Sequence, residues 1–193
     1  MIPGRLTLVA VGCSWGGLAA VGRLLEALPA SFALPTVIVQ HRSEAPSTLV
    51  ELLGRHTARR VTEPDDKDRV LANHVYVAPP GYHLLVDRHR FSLTTEEPVR
   101  YARPSVDVLF ESAADAYGPA LAAIVLTGAN DDGARGLARV AAAGGLALVQ
   151  DPATAERATM PAAALAAVPT AVVGDIDLLA QTLVAAVTGP VLL

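Results

Sequence analysis

The sequence predicts an α/β fold of three layers: a mostly parallel sheet with helices on both faces, interrupted by an antiparallel hairpin excursion near residues 74–95. Three observations carry this. Short continuous apolar runs alternate with stretches whose apolar residues recur at helical spacing, the pattern of strand–helix–strand units. The strand runs lack polar alternation, as befits parallel strands buried on both faces. Only the middle of the chain, around His74 to Thr95, shows two-residue alternation and turn residues.

The chain is organised around its first unit. Leu6 to Val11, LTLVAV, reads as a buried strand; GCSWGG turns, and Leu18 to Leu28, LAAVGRLLEAL, reads as a helix. Gly12-x-Ser14-x-Gly16 has the spacing of a nucleophile elbow, where glycines let the backbone bend and lift a hydroxyl clear of the sheet. Gly17 allows the helix start to pack closely, and the first free N–H groups of that helix point at the turn. The plainer reading is a Gly-rich turn with Ser14 as helix N-cap. A phosphate or dinucleotide loop is disfavoured, because neither G-x-G-x-x-G nor G-x-x-x-x-G-K-[ST] is present.

The remaining elements follow in order. Thr36 to Gln40, TVIVQ, is a second buried strand that delivers His41 to its carboxyl end, the edge where open α/β sheets collect their sites. Pro46 to His56 is a short amphipathic helix. RRVTE is a strand in a polar stretch, and the charge run from Glu63 to Arg69 reads as a solvated face. NHVYVAPP is a strand ending in a Pro-Pro-Gly turn; YHLLVDRHRFSLTT reads as a hairpin, and the whole section reads as antiparallel. Pro104 to Tyr117 is a helix opened by its proline. Ala120 to Leu126 is a buried strand ending in TGANDDG, followed by the helix ARGLARVAAAG. LALVQ and TAVV are strands, separated by a helix from Met160, and Asp175 to Val187 is the last helix.

Composition limits the function. With 193 residues, 52% hydrophobic, the chain makes one domain (1–193) with a sizeable core. A net charge of −4 argues against a nucleic-acid partner. One cysteine, Cys13, excludes an internal disulfide and a cysteine-based zinc cluster, and suits the cytoplasm. No histidine pair has a metal-ligand spacing, so no metal and no cofactor are expected. Mean hydropathy is +0.40, but the least charged segment, Ala158 to Gly174, is broken by Pro161 and Pro169, so no membrane insertion is expected. A lipoprotein signal ending at Cys13 is disfavoured by a single Arg, a very short apolar run, and the loss of the strand presenting Ser14.

Ser14, His41 and an acid at Asp131 or Asp132 then share one sheet edge. A serine hydroxyl needs a base to take its proton; neutral imidazole is that base near pH 7; a carboxylate fixes the imidazole tautomer and stabilises the imidazolium. The plainer reading of either aspartate is an N-cap. The chain order Ser, His, Asp is not the Ser, Asp, His order of α/β-hydrolases, so a different fold is expected. His83, after the Pro-Pro-Gly turn, is a candidate for lining the crevice; His56, His74 and His89 read as exposed.

VAVGCSWGG, VIVQH, VYVAPPGYH, RPSVDVLF, VLTGANDDGARGL and the late Met160-Pro161, in this order, resemble the catalytic domain of the chemotaxis protein-glutamate methylesterases, the CheB family. The resemblance covers nearly the whole chain. It implies a Rossmann-like parallel sheet, hydrolysis of glutamyl γ-methyl esters on the cytoplasmic helices of methyl-accepting receptors, and in many members deamidation of receptor glutamines. It implies Ser14 as nucleophile, His41 as general base and, as the aspartate preceding glycine, Asp132 as orienting acid. Three departures stand out. Trp15 replaces a threonine beside the nucleophile. Gly128-Ala129-Asn130 replaces a G-M-G loop that helps hold the oxyanion; Ala129 can still donate its N–H, whereas Asn130 restricts the backbone unless left-handed. Arg42 follows the base, where it either meets an acidic receptor surface or is merely exposed. The elbow lies so near the start of the sequence that no receiver domain, and no gating by one in cis, is expected. The alternative is a silent, partner-binding domain whose crevice Trp15 and Asn130 have closed.

Overall fold

A computed structural model of the chain describes residues 6–42, 48–87 and 89–188. Seven parallel strands form one sheet: β1 (Leu8–Cys13), β2 (Thr36–Gln40), β3 (Arg60–Thr62), β4 (His74–Val77), β7 (Leu121–Val125), β8 (Leu146–Gln150) and β9 (Val172–Gly174). Their order is β3-β4-β2-β1-β7-β8-β9. β5 (His83–Asp87) and β6 (Arg90–Thr94) form a separate antiparallel hairpin. The helices are α1 (Gly17–Ala27), α2 (Leu49–Gly54), α3 (Val106–Tyr117), α4 (Ala134–Ala142), α5 (Thr159–Ala167) and α6 (Ile176–Thr188). The start of the helix expected from Pro46 lies outside the described residues.

One expectation is corrected. His74 to Val77 is no part of the antiparallel excursion: β4 pairs in parallel with both β2 and β3. The chain leaves β2, lays β3 at the sheet edge, and returns to insert β4 between them. Pattern alone does not distinguish this, since Val75, Tyr76 and Val77 are all buried and show no alternation. The hairpin proper begins at His83.

The strands separate two cores by their two-residue period. Leu8, Ala10, Val37 and Val39 face one core, with Leu109 and Phe110 of α3, Val140 of α4, Ala164 of α5 and Phe91 of the hairpin. Val9, Val11 and Ile38 face the other, with Leu24 and Leu25 of α1, Leu53 of α2 and Leu183 of α6. Strands covered on both faces need apolar residues at every position, which is why LVAVGC and LAAIV are buried throughout.

The order in which strands are added to the sheet reverses at β1. β2 lies on one side of it and β7 on the other, both in parallel register, so the segments after β1, β2 and β7 converge at one edge.

Candidate active site

Ser14 follows β1, and its position is held from three directions. Its N–H donates to the Thr127 carbonyl at 3.0 Å, its own carbonyl accepts from Gly17 N–H at 2.9 Å, and the Gln40 side-chain amide donates to the same carbonyl at 2.7 Å. The glycines around it serve different ends. Gly16, the residue capping α1, has φ 77°, a left-handed turn that an L side chain rarely adopts. Gly12 leaves room for α3: a Cβ there would lie 2.2 Å from Val106 Cγ1. A Cβ at Gly17 would lie 2.1 Å from Gln40 Oε1. The helix cap is thus Gly16 and not Ser14, which leaves the Ser14 hydroxyl free of capping duty.

His41 follows β2, with its N–H on the Cys13 carbonyl at 3.0 Å. The Gln40 amide NH2 donates to the His41 carbonyl at 3.1 Å as well as to that of Ser14, so one side chain ties both backbones together. Gln40 Oε1 accepts from Cys13 Sγ at 3.0 Å. Burial pushes the Cys13 thiol far up, so it stays protonated there and is no nucleophile.

Asp132 is the buried acid. Its side chain has no exposure and contacts His41 Nε2 at 2.7 Å through Oδ2. The same carboxylate sits on the N-terminus of α3. Oδ2 accepts from Val106 N–H at 2.7 Å, and Oδ1 accepts from Asp107 N–H at 3.0 Å and Ser105 Oγ–H at 2.9 Å. Burial alone would raise this carboxyl. Hydrogen bonds from His41 and from the Asp107 and Val106 amides outweigh it and hold Asp132 below the ordinary carboxylate range. Asp131 points away, half-exposed, and pairs with Arg100. Asp107 in turn accepts from Gly133 N–H at 2.9 Å and Gly136 N–H at 2.7 Å, anchoring the start of α4. Its carboxyl is raised, chiefly by burial, against the opposing Gly136 hydrogen bond and with the Asp132 charge adding to the rise.

The loop after β7 abuts the serine. Gly128 has space for no side chain: a Cβ would lie 1.9 Å from Met160 Sδ and 3.0 Å from Ser14 Cβ. Gly128 N–H is already bonded to the Arg157 carbonyl at 3.1 Å, but the N–H groups of Ala129 and Trp15 donate to no acceptor among the described residues. Asn130 is not left-handed; its carbonyl oxygen accepts the Asp132 N–H at 3.2 Å, and its amide NH2 approaches His41 Nδ1 at 3.4 Å. The position calls for no left-handed backbone, so asparagine fits it without the strain that would have favoured glycine.

Three further expectations meet a different placement. Trp15 does not fill the crevice. It is 59% exposed, its Nε1–H donates to Glu156 at 2.7 Å, and the Arg157 guanidinium lies 5.3 Å over its ring. His83 does not line the crevice: it is buried, with Nδ1 accepting Ser105 N–H at 3.2 Å and Nε2 donating to the Glu97 carbonyl at 3.1 Å, so it props the approach to α3. Arg42 is neither exposed nor free. Its side chain is 9% exposed, paired with Glu63, and donates to the Ala78 carbonyl at 2.7 Å. Of the histidines read as exposed, His89 is so, while His56 and His74 are half-buried.

A cleft of 490 Å³ opens beside the base, lined by His41, Asn130, Arg42, Arg100, Tyr101 and Arg103 together with neighbouring prolines and Ala102. Arg100 pairs with Asp131, and Arg103 donates to the Thr95 and Glu96 carbonyls at 3.0 and 3.2 Å. Three arginines thus line this wall, two of them already paired with acids. Among the described residues no helix is long and apolar enough to cross a membrane.

Sequence reasoning missed the contributions of Gln40, Ser105 and Asp107. For Ser105 a signal existed: Pro-Ser-Val-Asp is a helix N-terminus, and buried helix N-termini require acceptors. Gln40 lies at a buried strand end, where a polar residue needs partners.

Comparison with known proteins gives one family. A model described as CheB methylesterase matches residues 9–183. A Leptospira interrogans protein, provisionally named a protein-glutamate methylesterase/protein-glutamine glutaminase, is 43% identical over 161 residues, spanning 82% of this chain and 83% of its own. A Xanthomonas campestris protein-glutamate methylesterase/protein-glutamine glutaminase is 41% identical over 81% of this chain, which spans only 45% of that protein. The crystal structure of the Thermotoga maritima CheB methylesterase catalytic domain superposes with a TM-score of 0.86 at 27% identity, covering 94% of this chain and 98% of that one.

Proposed function

This chain belongs to the CheB methylesterase family, and we propose that residues 1–193 act as one catalytic domain hydrolysing glutamyl γ-methyl esters on the cytoplasmic helices of chemotaxis-type receptors. One observation supports the reading above the others: a fully buried Asp132, seated on the α3 N-terminus, contacts His41 at 2.7 Å on the strand beside the one that presents Ser14.

The steps follow from the atoms. The carboxylate accepts from His41 Nε2, so Nδ1 holds the lone pair of the neutral ring. Ser14 Oγ attacks the ester carbonyl carbon while its proton passes to Nδ1. The carbonyl oxygen gains the charge and is held by the unoccupied N–H groups of Trp15 and Ala129; each such donor is worth ~10²–10³ in rate. The tetrahedral intermediate collapses, methanol leaves with the proton from Nδ1, and an acyl-enzyme remains. Water attacks it by the same route, giving the glutamate carboxylate and restoring Ser14. A glutamine amide follows the same path with ammonia leaving, in keeping with the glutaminase activity named for the relatives.

Arg100 and Arg103 lie on the open wall of the cleft, where receptor side chains would meet them. Reaction on receptor helices places the domain in the cytoplasm. The test is methanol release from methylated receptor membranes by the native chain and by Ser14→Ala. Serine-dependent release is expected, with unchanged thermal unfolding, because the Ser14 hydroxyl holds no hydrogen bond among the described residues. Release that survives Ser14→Ala would refute the mechanism.

A further inference from the structure

Asn130 stands between β7 and α4, on the cleft wall next to His41. Its side chain has only one consistent orientation. The Asp132 N–H, 3.2 Å away, requires the carbonyl oxygen, so the NH2 end faces the imidazole, 3.4 Å from Nδ1. At the other end of the ring, Nε2 lies 2.7 Å from Asp132, a group that only accepts. Nε2 therefore carries the ring proton and Nδ1 carries the lone pair, which is what an amide NH2 can donate to. Turning the amide over would set NH2 against the Asp132 N–H and oxygen against the lone pair, losing both bonds.

We propose that Asn130 is a positioning residue that holds the resting base: its NH2 keeps the His41 ring oriented, with Nδ1 engaged until Ser14 and substrate take it over. The proposal rests on His41 being the base. No hydrogen bond joins Ser14 to His41 among the described residues, so Asn130 is the partner Nδ1 has at rest. At 3.4 Å the bond is long and weak, as a contact that must give way in every turnover should be. It has a direction. Once Nδ1 is protonated, NH2 faces N–H, and the contact turns repulsive. Asn130 thus favours the neutral ring and hastens return of the proton to the leaving group. The glycine that the family resemblance places here would supply no such donor.

Asn130→Asp separates this role from that of a loop brace. The carboxylate still accepts the Asp132 N–H but presents an acceptor to His41, which stabilises the protonated ring. The other charged groups facing His41 are unchanged: Asp132 from the same loop, Arg42 on its own segment, and Arg100 and Arg103 across the cleft. Ester hydrolysis is measured against pH for the full chain, Asn130→Asp, Asn130→Gly and Ser14→Ala. In Asn130→Asp the acidic limb of kcat/KM moves up by about 1–3 pH units with thermal stability retained. In Asn130→Gly kcat falls about tenfold, a fraction of the 10²–10⁴ a general base supplies, with KM unchanged. A wild-type acidic limb in Asn130→Asp overturns the proposal, as does a loss in Asn130→Gly that is carried by KM. Absence of Ser14-dependent hydrolysis in the native chain refutes the enzymatic reading instead. Nitrogen-15 spectra of the histidine-labelled chain then decide the contact: protonation of His41 at higher pH in Asn130→Asp than in the native chain supports it, and identical titrations overturn it.

Discussion

Replacing Asp132 by asparagine probes fold and chemistry at once. The carboxylate now satisfies four donors: Ser105 Oγ–H and Asp107 N–H through Oδ1, Val106 N–H and His41 through Oδ2. Asparagine has one acceptor oxygen and an NH2 in place of the other. Whichever way it turns, at least one buried backbone N–H of the α3 N-terminus is left facing a donor. An orphaned buried donor costs about 1–3 kcal/mol, and losing a negative charge at a helix N-terminus about 0.3–2 kcal/mol more. Relief of the buried charge offsets part of this, which puts the net near 2 kcal/mol. In a domain of this size that lowers Tm by about 4–8 °C. Turnover falls further, by about 10⁴-fold in kcat, because the ring loses the partner that fixes its tautomer. The comparison is Asp131→Asn, which removes only a half-exposed partner of Arg100 and is expected to stay within about 1 kcal/mol. Thermal unfolding by circular dichroism and serine-dependent methanol release give the two readouts. If Asp132→Asn matched Asp131→Asn in both, the assignment of the buried acid would fall.

The remaining expectations concern the same edge of the sheet. The Asp132 carboxyl is held below its ordinary value near 3.8, so its stabilisation is complete above that value and is lost as pH falls through the folded-state value. The destabilisation of the native chain as pH falls below that ordinary value should therefore flatten in Asp132→Asn, as urea unfolding would show; an unchanged slope would contradict the shift. Gln40→Ala releases the Ser14 and His41 carbonyls together and should lower kcat about tenfold or more with KM kept. Gly17→Ala drives a methyl group to 2.1 Å from Gln40 Oε1, so it should reproduce that kcat loss and add about 1–3 kcal/mol of overpacking; intact kcat in both variants would remove Gln40 from the positioning of the site.

The sheet was legible where local pattern and tertiary role coincide. LTLVAV, TVIVQ and ALAAIVL read as buried strands because strands covered on both faces have no polar side to hide. β4 is not legible in this way because its neighbours in sequence are a polar loop and a hairpin, whereas its neighbours in space are β2 and β3. Pairing partners are set by the chain's return path, which no local pattern records. The shared edge of Ser14 and His41 is legible because the carboxyl ends of adjacent parallel strands lie side by side. Local sequence does not choose between Asp131 and Asp132, and the reason is physical. The two differ by one position on a turn, and what decides between them is the α3 N-terminus, some 26 residues earlier in the chain. Trp15 looked obstructive from its position beside the serine; Glu156 and Arg157, distant in sequence, draw it outward.

That helix explains how the acid can be both buried and charged. A carboxylate moved from water into a protein interior ordinarily takes up a proton instead. Here two backbone N–H groups and a hydroxyl meet it before His41 does, and they belong to a helix whose own first turn needs acceptors. The cap of α3 and the acid proposed to orient His41 are thus one group, and each role supports the other. α3 can approach so closely only because Gly12 lacks a side chain against Val106, and the same first glycine belongs to the elbow that presents Ser14. The Gly12-x-Ser14 spacing therefore does more than bend the chain. It lets the helix that anchors Asp132 dock on the strand that leads into Ser14, so the placement of serine relative to acid is set by packing in the core rather than by a loop.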